Sequence, residues 1–251
     1  MMTTSPSELL LGASAAGAFH LREGRPNQDA VRVRRYGYGC VAAVADGVGA
    51  QRFSQYGSRA AVQAVHEVFC AYARGGVERE KITQTIARRY TGLVEEKYRT
   101  QADTTCLFAA HIYDQGLFLG QIGDGICCGY LNGSPFLLGE KTEEFENLVT
   151  PLSPNRLSAV WKTHFVPARK FHSLELLLAT DGVSGDLLPG RESEFVRYLM
   201  DRAGARGRRG GEEILLRLLE NWESPQSLDD KTVALYRCTA ERRREHEQHC
   251  V

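Results

Sequence analysis

Residues 41–50 read VAAVADGVGA. Val41 to Ala45 form an unbroken apolar run, as a strand carries when neighbours cover it, and Asp46 then heads a turn punctuated by Gly47 and Gly49. A strand that ends by presenting a carboxylate on so small a loop raises the question of what that carboxylate meets. The ending recurs: GLFLGQIGDG closes on Asp124, LELLLATDG closes on Asp181, and the pair Asp229-Asp230 directly precedes the last apolar run, TVALY.

One Asp-Gly is an ordinary turn dipeptide. Taken together, and with the strands as neighbours in one sandwich, these carboxylates converge, and converging anions repel unless a cation compensates them. Oxygen donors of this kind select magnesium or manganese over zinc. No cysteine or histidine cluster offers a rival site: His246, His249 and Cys250 fall in ERRREHEQHC, which reads as a solvated charged tail.

With 251 residues, 43% of them hydrophobic, the chain can bury a sizeable core, and we read residues 1–251 as one domain with 241–251 as its tail. Lys plus Arg and Asp plus Glu both number 31, so charge gives no global case for nucleic acid or an anionic membrane. No apolar run reaches the roughly 20 residues of a membrane-spanning helix. The N-terminal stretch lacks the basic region of a secretory leader, and the seven cysteines show no CxxC pair, with six inside apolar segments. The expectation is a cytoplasmic protein with reduced thiols.

Helical spacing marks Gln55 to Ala73, with Val62, Val65, Phe69 and Tyr72 inward and His66 at the surface or boundary. A second helix is expected over Glu78 to Tyr98, with Ile82, Ile86, Tyr90, Leu93 and Val94 inward. Strand-like runs follow (TTCLFAAHIY, GLFLGQIGDG, ICCGYLNGSPFLL, SLELLLATDG and KTVALYRC), with Asp114-Gln115-Gly116 and Asn132-Gly133 placed as hairpin turns. Two more helices are expected around Phe195 to Met200 and Ile214 to Trp222, joined by RAGARGRRGGEE, residues 202–213, read as a solvated connection. Hairpins and helices in separate blocks favour antiparallel sheets covered by helices, an α+β chain.

The motif order resembles the metal-dependent serine/threonine protein phosphatases of the PPM (type 2C) group. The matching pieces are GRPNQDAV (24–31), VADGVG (44–49) with GSRAA (57–61), TTCLFAA (104–110), IGDG (122–125), LLLATDGVSGDL (176–187) and DDKTVAL (229–235). The resemblance implies a four-layer αββα sandwich, two central antiparallel β-sheets flanked by helices, with a binuclear Mn2+ or Mg2+ centre. By position it implies Asp46 as the bridging ligand, Gly47 as a carbonyl ligand, and Asp181 and Asp229 as the remaining ligands of the first metal. Asp29 is implied to hold the second metal through water, and Asp124 a weaker third. Asp229, with its neighbour Asp230 at the position of the family's asparagine, is the implied ligand of that pair. Two such ions, about 4 Å apart, activate a shared water that hydrolyses phosphoserine or phosphothreonine on a protein, commonly opposite a cognate kinase.

The chain departs from the family at three places. Gly24 stands where relatives carry a phosphate-gripping arginine, so Arg25 or Arg22 is expected to substitute; the stretch HLREGRPNQDA resembles a divergent bacterial branch. Val48 and Ala50 replace a leaving-group histidine and a glycine, which leaves His20 as a candidate general acid or a structural histidine. The segment 139–161 is short where relatives carry a larger flap. The alternative function is a catalytically weak phosphatase-like sensor or binding module; a two-metal nuclease would need a basic face this neutral chain does not offer.

Overall fold

The computed structural model describes residues 8–139, 150–156, 159–224 and 228–239. The opening stretch forms β3 (Gly39–Ala45), buried at every position, paired antiparallel with β2 (Ala30–Tyr36) and β4 (Cys106–Ile112). With β5 (Gly116–Ile122) and β8 (Lys162–Pro167) these make one sheet, in the order β2-β3-β4-β5-β8. The second sheet runs β1-β10-β9-β6-β7, from β1 (Leu9–Ala15), β10 (Lys231–Thr239), β9 (Ser173–Ala179), β6 (Ile126–Leu131) and β7 (Ser134–Leu137). Every pairing is antiparallel.

Strand alternation explains why β3 is apolar throughout. Cys40, Ala42 and Val44 face the second sheet, in a core with Leu107, Leu117, Leu176, Leu178, Ala234 and Tyr236. Val41, Ala43 and Ala45 face the other way, onto α2 (Ser54–Ala73) and α3 (Ile82–Leu93) through Ala61, Val65 and Phe69. Alanines on both strand and helix let that helix approach closely, and Phe69 fills the space beyond, 5.3 Å and 5.6 Å between centroids from Phe108 and Phe118. On the far side, α5 (Glu192–Gly204) and α6 (Gly207–Glu220) cover the second sheet, placing Val196, Leu199, Met200 and Leu215 on Leu9, Leu11, Leu177 and Leu235. The layers are helix, sheet, sheet, helix, as the resemblance implied.

Several local expectations are corrected. The helix expected over 78–98 is only the twelve residues of α3, between 3-10 turns at Arg79–Lys81 and Glu96–Gln101. Val94 leaves the helix yet stays buried, and Tyr98 stacks on Tyr56 of α2 at 4.2 Å, which draws the polar segment out of helical path. His66 is not at the surface: it is buried, with Nδ1 2.9 Å from the Tyr36 hydroxyl and Nε2 3.0 Å from the Arg32 carbonyl, tying α2 to β2. Residues 202–213 are mostly helical, with only Ala205-Arg206 between α5 and α6. Of the glycines that suggested a loop, Gly211 is a packing contact, where a Cβ would lie 2.7 Å from the Ala203 carbonyl and 2.8 Å from Leu11, and Gly207 supplies the positive φ of 65° at the turn into α6. Part of the 139–161 segment and the charged tail lie outside the described residues.

A polar cluster closes the sandwich at one end. The buried Glu8 accepts from the Tyr236 hydroxyl (3.1 Å) and the Tyr113 hydroxyl (3.0 Å) and pairs with Arg35 (3.1 Å), while His111 Nδ1 lies 2.7 Å from the Tyr236 oxygen. The aspartates gather at the opposite end, where β3, β5 and β9 finish and β2 and β10 begin.

Candidate active site

Asp46 directly follows β3, and its backbone is held on both sides. Its carbonyl accepts from Thr105 N (2.8 Å) and Thr104 Oγ1 (2.6 Å), and its N–H donates to Thr105 Oγ1 (3.2 Å). Strand parity sets its side chain on the face of Cys40, Ala42 and Val44, at the end of the gap between the sheets. Gly47 then turns under α2. A Cβ there would lie 2.6 Å from Ser54 Cβ and 2.9 Å from the Gln28 carbonyl, so no larger residue fits.

Asp29, at the start of β2, is buried. Its Oδ2 accepts from Thr180 Oγ1 (2.8 Å), which itself accepts from Thr232 N (3.1 Å), and Asp29 N donates to Asn27 Oδ1 (2.8 Å). Its Oδ1 is buried without a hydrogen-bond donor, and the Asp46 carboxyl lies against this side chain. Asp46, Asp124 and Asp181 each bring a carboxylate oxygen within 4.8 Å of the other two. Asp181 stands at the head of the short α4 (Asp181–Ser184).

Crowding shows in the acidities. Burial, and after it the charges of Asp124 and Asp229, push the Asp181 carboxyl up to about 6. The Asp46 carboxyl is raised far above the carboxylate range, first by burial and then by Asp29, with Asp181 and Asp229 adding. Asp29 is raised as well, mainly by burial. In the absence of a cation such a site retains protons. An all-oxygen donor set, mutual repulsion and the undonated Asp29 oxygen fit hard divalent ions, Mg2+ or Mn2+.

The adjacent carboxylates Asp229 and Asp230 differ in exposure, although an oxygen of each lies within 4.8 Å of the other and of a His20 ring nitrogen. Asp230 is buried and accepts from Gly17 N (2.7 Å) and Gln28 N (2.6 Å), with His20 Nδ1 at ion-pair distance, 2.8 Å, outside hydrogen-bond geometry. Asp229 is exposed, and its charge acts on both Asp46 and Asp181. A cleft of about 580 Å³ opens over these groups, lined by Phe19, His20, Gly49, Asp181, Asp186, Leu228 and Asp229, among others. The structure thus brings Asp29, Asp46, Asp124, Asp181 and Asp229 together and sets His20 in the cleft wall. The two arginines are not among the cleft's lining residues. Arg22 Nε donates back to the Ala18 carbonyl (3.1 Å) within α1 (Ala18–Glu23), and the Arg25 guanidinium lies 5.8 Å over the Phe19 ring.

Sequence reading missed the residues that hold the carboxylates, Thr180, Asn27, Thr104 and Thr105, and the inward role of Asp230. It also missed Asp186, which accepts from Trp222 Nε1 (2.8 Å) and Ser224 Oγ (2.7 Å) at the cleft edge. The one available signal was position, since Thr180 immediately precedes the Asp-Gly of Asp181 and Asn27 stands two residues before Asp29.

A family model described as Protein phosphatase 2C matches residues 16–220. A search of curated proteins finds no match. Among solved structures, the serine/threonine phosphatase Stp1 from Staphylococcus aureus superposes with a TM-score of 0.59 at 14% identity, covering 95% of this chain and 96% of that one. The PPM Ser-Thr phosphatase MsPP from Mycobacterium smegmatis, solved with cacodylate, gives 0.58 at 18% identity, covering 91% and 97%. PppA of Pseudomonas aeruginosa, titled a key regulatory component of T6SS, gives 0.60 at 15% identity, covering 92% and 97%. At such identities the likeness is one of fold.

Proposed function

This chain belongs to the protein phosphatase 2C family of serine/threonine phosphatases, and from that premise we propose that its cleft hydrolyses phosphoserine and phosphothreonine on proteins with the help of two Mn2+ or Mg2+ ions. Asp46, the Gly47 carbonyl, Asp181 and Asp229 would hold them, with Asp29 acting through water and Asp124 on a weaker third ion. When bound, such ions make water a nucleophile at neutral pH and offset the charge of the phosphoryl oxygens. The protein's own part is to hold the carboxylates in place: Thr180 fixes Asp29, Thr104 and Thr105 fix the backbone of Asp46, and Asp230 fixes the segment that carries His20 and Gln28. Arg25 or Arg22 would grip the substrate phosphate, and His20, which lines the cleft, would meet the leaving group.

The observation that carries this reading is the convergence of aspartates from distant parts of the chain, Asp46, Asp124 and Asp181 within 4.8 Å of one another and Asp29 and Asp229 close enough for their charges to act on Asp46, with the buried Asp29 beside the half-buried Asp46. We expect hydrolysis of para-nitrophenyl phosphate and a phosphothreonine peptide with Mn2+ and none with chelator. Asp46→Asn and Asp181→Asn should each lose more than the roughly 10- to 100-fold that an outer-layer partner is worth. Activity surviving chelation would end the two-metal mechanism, and no activity with any metal would favour a binding module.

A further inference from the structure

We propose that Phe19 and Leu228 form an apolar wall that receives a large apolar side chain two residues from the phosphorylated serine or threonine; this rests on the phosphatase reading above. Phe19 is 45% exposed and Leu228 46%, and both line the same cleft as Asp181 and Asp229. Their exposure is imposed by the backbone. Gly17 N donates to Asp230 Oδ1 (2.7 Å), Phe19 N to the Leu228 carbonyl (3.0 Å) and Arg25 N to the His20 carbonyl (2.9 Å). A Cβ on Gly17 would sit 2.3 Å from the Leu228 and Asp229 carbonyl oxygens, so α1 is pressed against the 228–230 strip. A helix held this tightly cannot roll to bury its ring, and Leu21, on the same helix, is 68% exposed.

Apolar side chains lining a cleft that also holds carboxylates offer an apolar ligand group a place beside the polar centre. The occupant follows from continuity with the carboxylates. A polypeptide lying extended across the cleft advances about 3.3 Å per residue. Successive side chains point to opposite faces, so with the phosphoryl group over Asp46 and Asp181 the side chain that shares its face is the one two residues along, about 6.6 Å away, at the cleft wall. The Arg25 guanidinium over the Phe19 ring steadies the ring.

The test uses two phosphothreonine peptides that differ only at the residues two positions before and after the phosphothreonine, leucine or glycine, with the Mn2+-loaded protein. We expect kcat/KM to favour the leucine peptide by about 10-fold, the low end of what an apolar contact discriminates, and to do so through KM. In Phe19→Ser and Leu228→Ser the ratio should fall close to one, and Phe19→Leu should keep it, with thermal melts confirming that each variant folds. Should Phe19→Ser not fold, Leu228→Ser carries the comparison alone. A wild-type ratio of one, or a preference that persists in the serine variants, would overturn the wall while hydrolysis remained. Failure of the wild type to cleave either peptide or para-nitrophenyl phosphate would overturn the phosphatase reading, and the wall with it.

Discussion

Adjacent residues of one type can hold opposite posts, and Asp229 and Asp230 do. Asp230 is turned inward and spends its oxygens on Gly17 N and Gln28 N, whereas Asp229 is left to the cleft. Thr180 is the counterpart of Asp230 for Asp29, and its only side-chain donor goes to Oδ2. Thr180→Val keeps the shape and removes that donor, so Mn2+ affinity and activity should drop by roughly 10- to 100-fold, read by titration calorimetry and turnover. Asp46, Asp124 and Asp181 were legible because each ends an apolar run, Asp229 because it precedes one, and Asp29 only through the family motif. Thr180, Thr104 and Asn27 were not, since a threonine beside a strand reads as strand propensity and an asparagine as a turn. The raised carboxyls also set a pH dependence. Ligating oxygens must be deprotonated, so ion binding displaces the protons that Asp46, Asp29 and Asp181 retain. Apparent Mn2+ affinity should therefore rise from pH 5 to 8, with net proton release in calorimetry across buffers of different ionisation enthalpy; zero release would contradict the shared-proton site. For the metal-free fold the sign reverses. Asp181, raised from 3.8 to about 6, contributes stability fully below its unfolded value and loses it as pH climbs through 6.

Helix α2 was legible almost to the residue because its apolar face repeats at helical spacing and its end is marked by Gly75-Gly76. Strand β8 was not: only Val166 among its six residues is buried, so an edge strand left no apolar run to read. The 202–213 stretch misled for the opposite reason, since glycine used for close packing has the same appearance as glycine used for freedom. Two helical glycines separate those uses experimentally. A Cβ on Gly57 in α2 would lie 2.0 Å from the Ala102 carbonyl, so Gly57→Ala should cost about 1–3 kcal/mol or more. Gly92 in α3 has nothing within 4 Å, and Gly92→Ala should add about 0.4–1 kcal/mol. Urea melts of the two variants should move in opposite directions.

For the whole molecule, the two-sheet architecture followed from the blocks of hairpins and helices, but which strands would neighbour one another did not, because β1 and β10 are more than two hundred residues apart in the chain and pair throughout their length. That pairing sets Leu9 opposite Arg237, with Glu8 and its hydroxyl partners at the end far from the aspartates. Adjacent strands lie about 4.8 Å apart, so a linker of some four residues can join Thr239 to Glu8 without crossing the cleft. A circularly permuted variant, joined there and opened at the exposed Gly75-Gly76 turn, should melt cooperatively and retain Mn2+-dependent turnover. Loss of a cooperative melt would show that chain order matters to this fold beyond its contacts. The β1–β10 seam thus brings Glu8 and Thr239, the first and last described residues, side by side, so that an engineer can join the fold there and begin it anew at a turn.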